Sequence, residues 1–162
     1  MSETNINCTK VGHTYPNGVQ AIKDVDVTIE QGEIVSVVGQ NGSGKTTLVK
    51  HFNGLLKPTD GDIMIGDLNT RENPVGKLAR QVGYVFQNPN HQIFAASVHE
   101  ELSFGLKNIG LNESEVETKV IEIAEDFFLT EYLELNPYRL GFSLRKTVAM
   151  ASIIAMEPNV VV

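Results

Sequence analysis

Gly39-Gln40-Asn41-Gly42-Ser43-Gly44-Lys45-Thr46 is the stretch on which the reading turns. It fits the spacing G-x-x-x-x-G-K-[ST], whose chemistry is the cradling of phosphate. Glycines without side chains let successive backbone N–H groups turn inward around an anion. A helix starting near Lys45 adds unpaired N–H donors and the positive end of its dipole. The Lys45 ammonium reaches the β- and γ-phosphates of a nucleoside triphosphate as a mobile point charge, and the Thr46 hydroxyl is a ligand for Mg²⁺.

Outward from the loop, the pattern predicts alternating strands and helices. Ile34 to Val38 is a continuous apolar run, as expected of a strand buried on both faces. Thr46 to Asn53 reads as a helix that stops at Gly54. Before the loop, Ile6 to Tyr15 alternates loosely and Val25 to Ile29 strictly, with turn chemistry at Pro16-Asn17-Gly18 and Gln31-Gly32. After it come a turn at Pro58 to Gly61, a short strand at Asp62 to Ile65, a short helix at Val75 to Gln81 and a buried strand at Val82 to Phe86. Val98 to Leu106 is weakly helical. Val116, Val120, Ile123, Ala124, Phe127 and Phe128 recur at helical spacing, which predicts an amphipathic helix from Glu113 with an acidic outer face. Ser143 to Met156 reads as a more buried helix ended by Pro158, and Val160 to Val162 begins a strand. The fold expected is α/β: a P-loop core with a parallel sheet, an N-terminal antiparallel β layer, and a helical insertion over about 90–142.

Composition narrows the function. The 162 residues carry 13 basic and 20 acidic side chains, a net charge of −7. Binders of nucleic acid neutralise phosphates with excess positive charge, so nucleic acid is not an expected partner. The excess is local: Glu113 to Glu134 holds eight acidic residues and one basic residue, Lys119, leaving the remainder neutral. The single cysteine, Cys8, excludes an intramolecular disulfide and reads as a small buried thiol. His13, His51, His91 and His99 show no metal-ligand spacing and read as structural or solvated. The N-terminus lacks the apolar segment of a signal peptide, and the longest apolar stretch, Val148 to Met156, is too short to span a bilayer. The expectation is a cytoplasmic chain with no direct insertion, any membrane association going through a partner.

The loop alone does not choose among kinases, GTPases and transport ATPases. Val82-Gly83-Tyr84-Val85-Phe86-Gln87-Asn88-Pro89 with Gln92-Ile93-Phe94 resembles the Q-loop region of ABC-transporter ATPases. The nearest resemblance is to the energy-coupling-factor and cobalt-importer type. Val98-His99-Glu100-Glu101-Leu102-Ser103-Phe104-Gly105 with Asn108 and Gly110-Leu111 is similar to the same group. Tyr15-Pro16-Asn17-Gly18 before Ala21 to Val25 resembles its A-loop. The resemblance covers nearly the whole chain, as a β layer and P-loop core over 1–89, a Q-loop and helical subdomain over about 87–142, and a signature helix with the start of a Walker B strand over 143–162. It implies ATP and Mg²⁺ as ligands, with Asn41, Gly42, Ser43, Gly44 and Lys45 on phosphate and Thr47 on the α-phosphate. Thr46 and Gln87 then serve Mg²⁺, and Tyr15 stacks on adenine, a contact worth roughly 1–3 kcal/mol per base. It also implies a transmembrane subunit and a second ATPase subunit as partners, with ATP driving uptake of a metal ion or vitamin.

Two departures from the family pattern bear on hydrolysis. The family's signature, a Ser-Gly-Gly-Gln segment that holds the γ-phosphate of a partner's ATP, is replaced by Gly141, Phe142, Ser143 and Leu144. Phe142 would crowd that contact, while Ser143 offers a hydroxyl at the helix start. The residues Pro158 to Val162 resemble the opening of a Walker B strand, and the sequence stops short of the Asp and Glu that would follow. No general base is identifiable, so the alternative reading is a nucleotide-binding fragment or regulatory remnant that does not hydrolyse. An unpaired apolar sheet edge predicts poor solubility.

Overall fold

The computed structural model describes residues 4–162. The chain folds as two compact units, the first running to Val82 and taking in Val162, the second spanning Gly83–Val161.

The first unit is built on a four-stranded antiparallel sheet of order β2-β1-β3-β4, from β1 (Thr4–Thr14), β2 (Gln20–Glu30), β3 (Asp60–Ile65) and β4 (Leu68–Asn69). A tight turn joins β1 to β2: the Gly18 amide donates to the Tyr15 carbonyl, and the Tyr15 amide to that of Val19. In β2 the expected alternation holds, with Val25, Val27 and Ile29 half-buried and Asp26, Thr28 and Glu30 exposed. Ile6, Cys8 and Val11 of β1 pack with Ile22, Ile63 and Ile65 as the core of this layer. Helix α1 (Lys45–Phe52) follows the glycine-rich loop and contributes His51 and Phe52 to the interior. Gly54 closes it with φ 76°, a left-handed conformation suited to glycine. A single turn, α2 (Val75–Leu78), buries Leu78.

The second unit is mainly helical. Helices α3 (Val98–Asn108), α4 (Glu113–Asp126) and α5 (Phe142–Ile154) enclose an apolar core that includes Leu102, Leu106, Val120, Leu129 and Val148. Two short strands, β5 (Val82–Gly83) and β6 (Val160–Val161), form a two-stranded sheet. Helix α4 starts at a capping box: Asn112 accepts from the Glu115 amide, and Glu115 accepts from that of Asn112. Among the described residues no helix is long and apolar enough to cross a membrane.

Two expectations need correction. Ile34 to Val38 forms no strand, and Ile34 and Val38 are 99% and 86% exposed. The strand expected over Val82 to Phe86 shrinks to Val82–Gly83, with Tyr84, Val85 and Phe86 half-buried and irregular. Both follow from one cause. A strand persists only when its N–H and C=O groups find a ladder. Among the described residues no strand pairs with Ile34 to Val38, and β5 and β6 are two residues long.

Candidate nucleotide site

The glycine-rich loop leads directly into α1, with Gly44 as the residue before the first helical turn. Gly44 takes φ 87°, and a Cβ there would run into the carbonyl oxygen of Ala21. A side chain at this position is therefore excluded twice, by backbone conformation and by space. Gly42 is left-handed as well, with φ 83°. No side chain caps α1, so its first-turn amides are left for an external acceptor. Asn41, Gly42, Ser43 and Thr46 are exposed, and Lys45 is half-buried.

Lys45 folds back over its own loop. Its Nζ donates to the carbonyls of Gly39 at 2.9 Å and Gln40 at 2.7 Å, and lies 3.4 Å from Ser43 Oγ. These neutral acceptors share the ammonium with no carboxylate, and a triphosphate tail would compete for it with full charges.

Thr47 is buried in the first turn of α1, and its Oγ1 lies 3.0 Å from the Tyr15 hydroxyl. The structure thus joins two of the residues singled out from sequence, one just past the end of β1 and one from α1. Behind them stand two histidines. The His13 ring meets Tyr15 edge-on at 4.7 Å between centroids, and its Nδ1 lies 3.1 Å from His51 Nε2.

The remaining sequence-derived residues lie in the second unit. Gln87 is exposed, on the irregular segment that follows β5. The residue that fastens this segment is Gln92, which sequence reading did not single out for a role. Its side-chain oxygen accepts from the Phe86 amide at 3.1 Å, and its Nε2 donates to the Ala149 carbonyl of α5 at 2.6 Å. Glu101, 4% exposed, was also missed as a structural anchor. One of its carboxylate oxygens accepts the amides of Phe94 at 3.0 Å and Ala95 at 2.9 Å.

The signature-like residues open α5. Gly141 precedes the helix, Phe142 is its first residue, and all of Gly141, Phe142 and Ser143 are exposed. The cap position belongs to Gly141, which has no side-chain bond to give. Ser143 lies two positions past the cap, exposed in the first turn, and its carbonyl accepts from Thr147 Oγ1. The Lys146 ammonium lies 5.2 Å from the centre of the Phe142 ring, within cation–π range.

Comparison with known proteins defines the family. The ABC transporter family profile matches residues 22–162. The energy-coupling factor transporter ATP-binding protein EcfA of Methanosphaera stadtmanae is 41% identical over 152 residues, which is 93% of this chain and 55% of that protein. EcfA1 of Methanospirillum hungatei is 43% identical over 151 residues, 93% of this chain and 54% of its own. Among solved structures, CbiO1 of Clostridium perfringens, part of the ABC transporter complex CbiONQ, superposes with a TM-score of 0.85 at 32% identity, covering 98% of this chain and 64% of that one. A dimeric ATP-binding cassette bound to ADP and Pi superposes with a TM-score of 0.85 at 26% identity, covering 96% and 72%. The chain belongs to the ABC transporter ATP-binding family and has its ATPase fold. It spans just over half the length of these EcfA relatives.

Proposed function

We propose that this chain is the ATP-binding part of an ABC importer of the energy-coupling-factor type, gripping Mg-ATP on the loop Gly39 to Thr46 to power uptake of a metal ion or vitamin. The observation that carries this reading is the junction of loop and helix. Left-handed Gly42 and Gly44 lead into an uncapped helix start, with a lysine ammonium resting on neutral carbonyls. That arrangement fits a polyanion: the first-turn amides have no side-chain cap, and a cation is held by groups that phosphate oxygens outcompete.

In this reading Asn41, Gly42, Ser43 and Gly44 supply the cradle, Lys45 takes the β- and γ-phosphates, and Thr47 takes the α-phosphate. Thr46 and Gln87 would hold Mg²⁺, which neutralises phosphate charge when bound. Tyr15 offers its ring to adenine. The partners are a second ATPase subunit and a transmembrane subunit. The exposed ring pair Phe94–Phe104, 4.7 Å between centroids, supports a protein contact in the second unit. Phe142, 51% exposed at the head of α5, supports a second reading in which the nucleotide is bound and poorly hydrolysed.

Titration with a fluorescent ATP analogue tests the central claim. Lys45→Ala removes a cation whose bonds are confined to its own loop, so the fold should persist. Affinity is expected to fall about ten- to a hundredfold, the scale of a charge-assisted contact. Unchanged affinity would end the nucleotide reading.

A further inference from the structure

His13 and His51 are buried side by side, 7% and 0% exposed, and the reading so far gives neither a task. Their protons can be assigned from their partners. His51 Nδ1 lies 2.6 Å from the Thr47 carbonyl, which only accepts, so Nδ1 carries the hydrogen. In the uncharged ring His51 Nε2 is then an acceptor. It faces His13 Nδ1 at 3.1 Å, and that same atom lies 3.1 Å from the Lys57 carbonyl, again an acceptor only. His13 Nδ1 therefore also carries its hydrogen and shares it between the two. His13 Nε2 is left as a bare acceptor, buried and without a partner.

This arrangement tolerates no extra proton. A hydrogen on His51 Nε2 would meet the one on His13 Nδ1, donor against donor. The titratable and charged groups around the pair offer no ready counter-ion. From the turn after β1 comes Tyr15, whose ring packs on His13. From the segment after α1 comes Lys57, whose ammonium is turned to the carbonyls of Thr70 and Asn73. From β3 comes Asp60, exposed beside Gly12 and accepting from the Thr59 hydroxyl. Burial pushes the pKa of His51 below its usual value of 6.5, outweighing the Thr47 hydrogen bond, which pulls it up.

We propose that His13 and His51 are positioning residues for the nucleotide loop: as an uncharged pair they bolt the first turns of α1 to the end of β1 and so hold Thr47 against Tyr15. The chain of contacts is continuous, from the Lys57 carbonyl through His13 and His51 to the Thr47 carbonyl, and from the Thr47 hydroxyl to the Tyr15 hydroxyl. The proposal rests on the nucleotide reading above, since Thr47 and Tyr15 are the residues assigned there to α-phosphate and adenine. Protons and nucleotide then compete. Affinity is full above the usual histidine value of 6.5 and is lost as pH falls below it, toward the lowered pKa of His51.

The test is the affinity for a fluorescent ATP analogue from about pH 8 to about pH 5.5, for the wild type, His51→Phe, His51→Asn and Lys45→Ala. The wild type is expected to weaken toward acid more steeply than His51→Phe, which lacks the His51 imidazole. At the alkaline end His51→Phe should bind about three- to tenfold more weakly, as for the loss of one hydrogen bond. His51→Asn keeps a donor for the Thr47 carbonyl and should recover part of that loss with the shallower profile of His51→Phe. Parallel pH profiles for wild type and His51→Phe, with Lys45→Ala still disrupting binding, would overturn the pair's role and leave the nucleotide reading intact. A wild type that binds at no pH would overturn both. If the variants do not fold, ¹⁵N spectra of the wild-type imidazoles decide: hydrogen on Nδ1 of both rings is expected, and hydrogen on Nε2 of either would overturn the assignment.

Discussion

Cys8 shows how completely one side chain can be withdrawn from its chemistry. It is 2% exposed on β1, and burial, with the nearby Asp26 carboxylate adding to it, pushes its thiol up to about 12. Thiolate is the reactive form, so the folded chain should resist a thiol reagent near neutral pH. Its labelling rate should follow the urea dependence of unfolding, and rapid labelling without denaturant would show that β1 is not closed over it. His51 gives a complementary effect on stability. Its pKa in the folded chain lies below 6.5, so protons prefer the unfolded chain. Stability from this residue is full above about pH 6.5 and declines as pH drops below that value, which thermal unfolding across the range would register. Gly44→Ala combines a left-handed backbone with a collision at the Ala21 carbonyl. A loss of at least about 1–2 kcal/mol is expected in chemical denaturation, and a neutral result would mean that the loop adopts another conformation.

The helices were the most legible elements, for reasons that are local. Helix α4 carries its own start signal: Asn112 and Glu115 form the box at its head, and Val116, Val120 and Ile123 recur on one face. Asn112→Ala is expected to cost about 1 kcal/mol in urea unfolding, while Glu115→Gln, which keeps an acceptor, should cost less. Equal losses would mean that the charge rather than the bond matters. The glycine-rich loop was legible for the same reason, because its shape is dictated by backbone freedom at Gly42 and Gly44 rather than by distant partners. What sequence did not reveal depends on residues far along the chain. Glu101 became a buried anchor only because the amides of Phe94 and Ala95 turn back onto it. Gln92, placed merely as part of a motif, holds the Phe86 segment to α5 across 57 positions of sequence. The apolar runs at Ile34 to Val38 and Val82 to Phe86 failed as strands for the opposite reason: their composition is right, but a strand is made by its neighbours.

That failure has a consequence for the 162-residue polypeptide in solution. Ile34, Val35, Val37 and Val38 form a run of exposed branched side chains, and among the described residues no strand pairs with it. Apolar surface of this kind, with unpaired backbone groups beside it, is the arrangement through which chains add to one another. The net charge of −7 opposes contact in general, but the run Ile34 to Val38 itself carries no charged residue. Self-association is therefore expected to grow with protein concentration in light scattering. Ile34→Lys combined with Val38→Lys places charge on the two most exposed positions of the run and should suppress it. Because neither side chain is packed, the double variant should unfold within about 0.5 kcal/mol of the wild type. If the wild type stays monodisperse at high concentration, or the lysines leave association untouched, the contact lies elsewhere on the molecule.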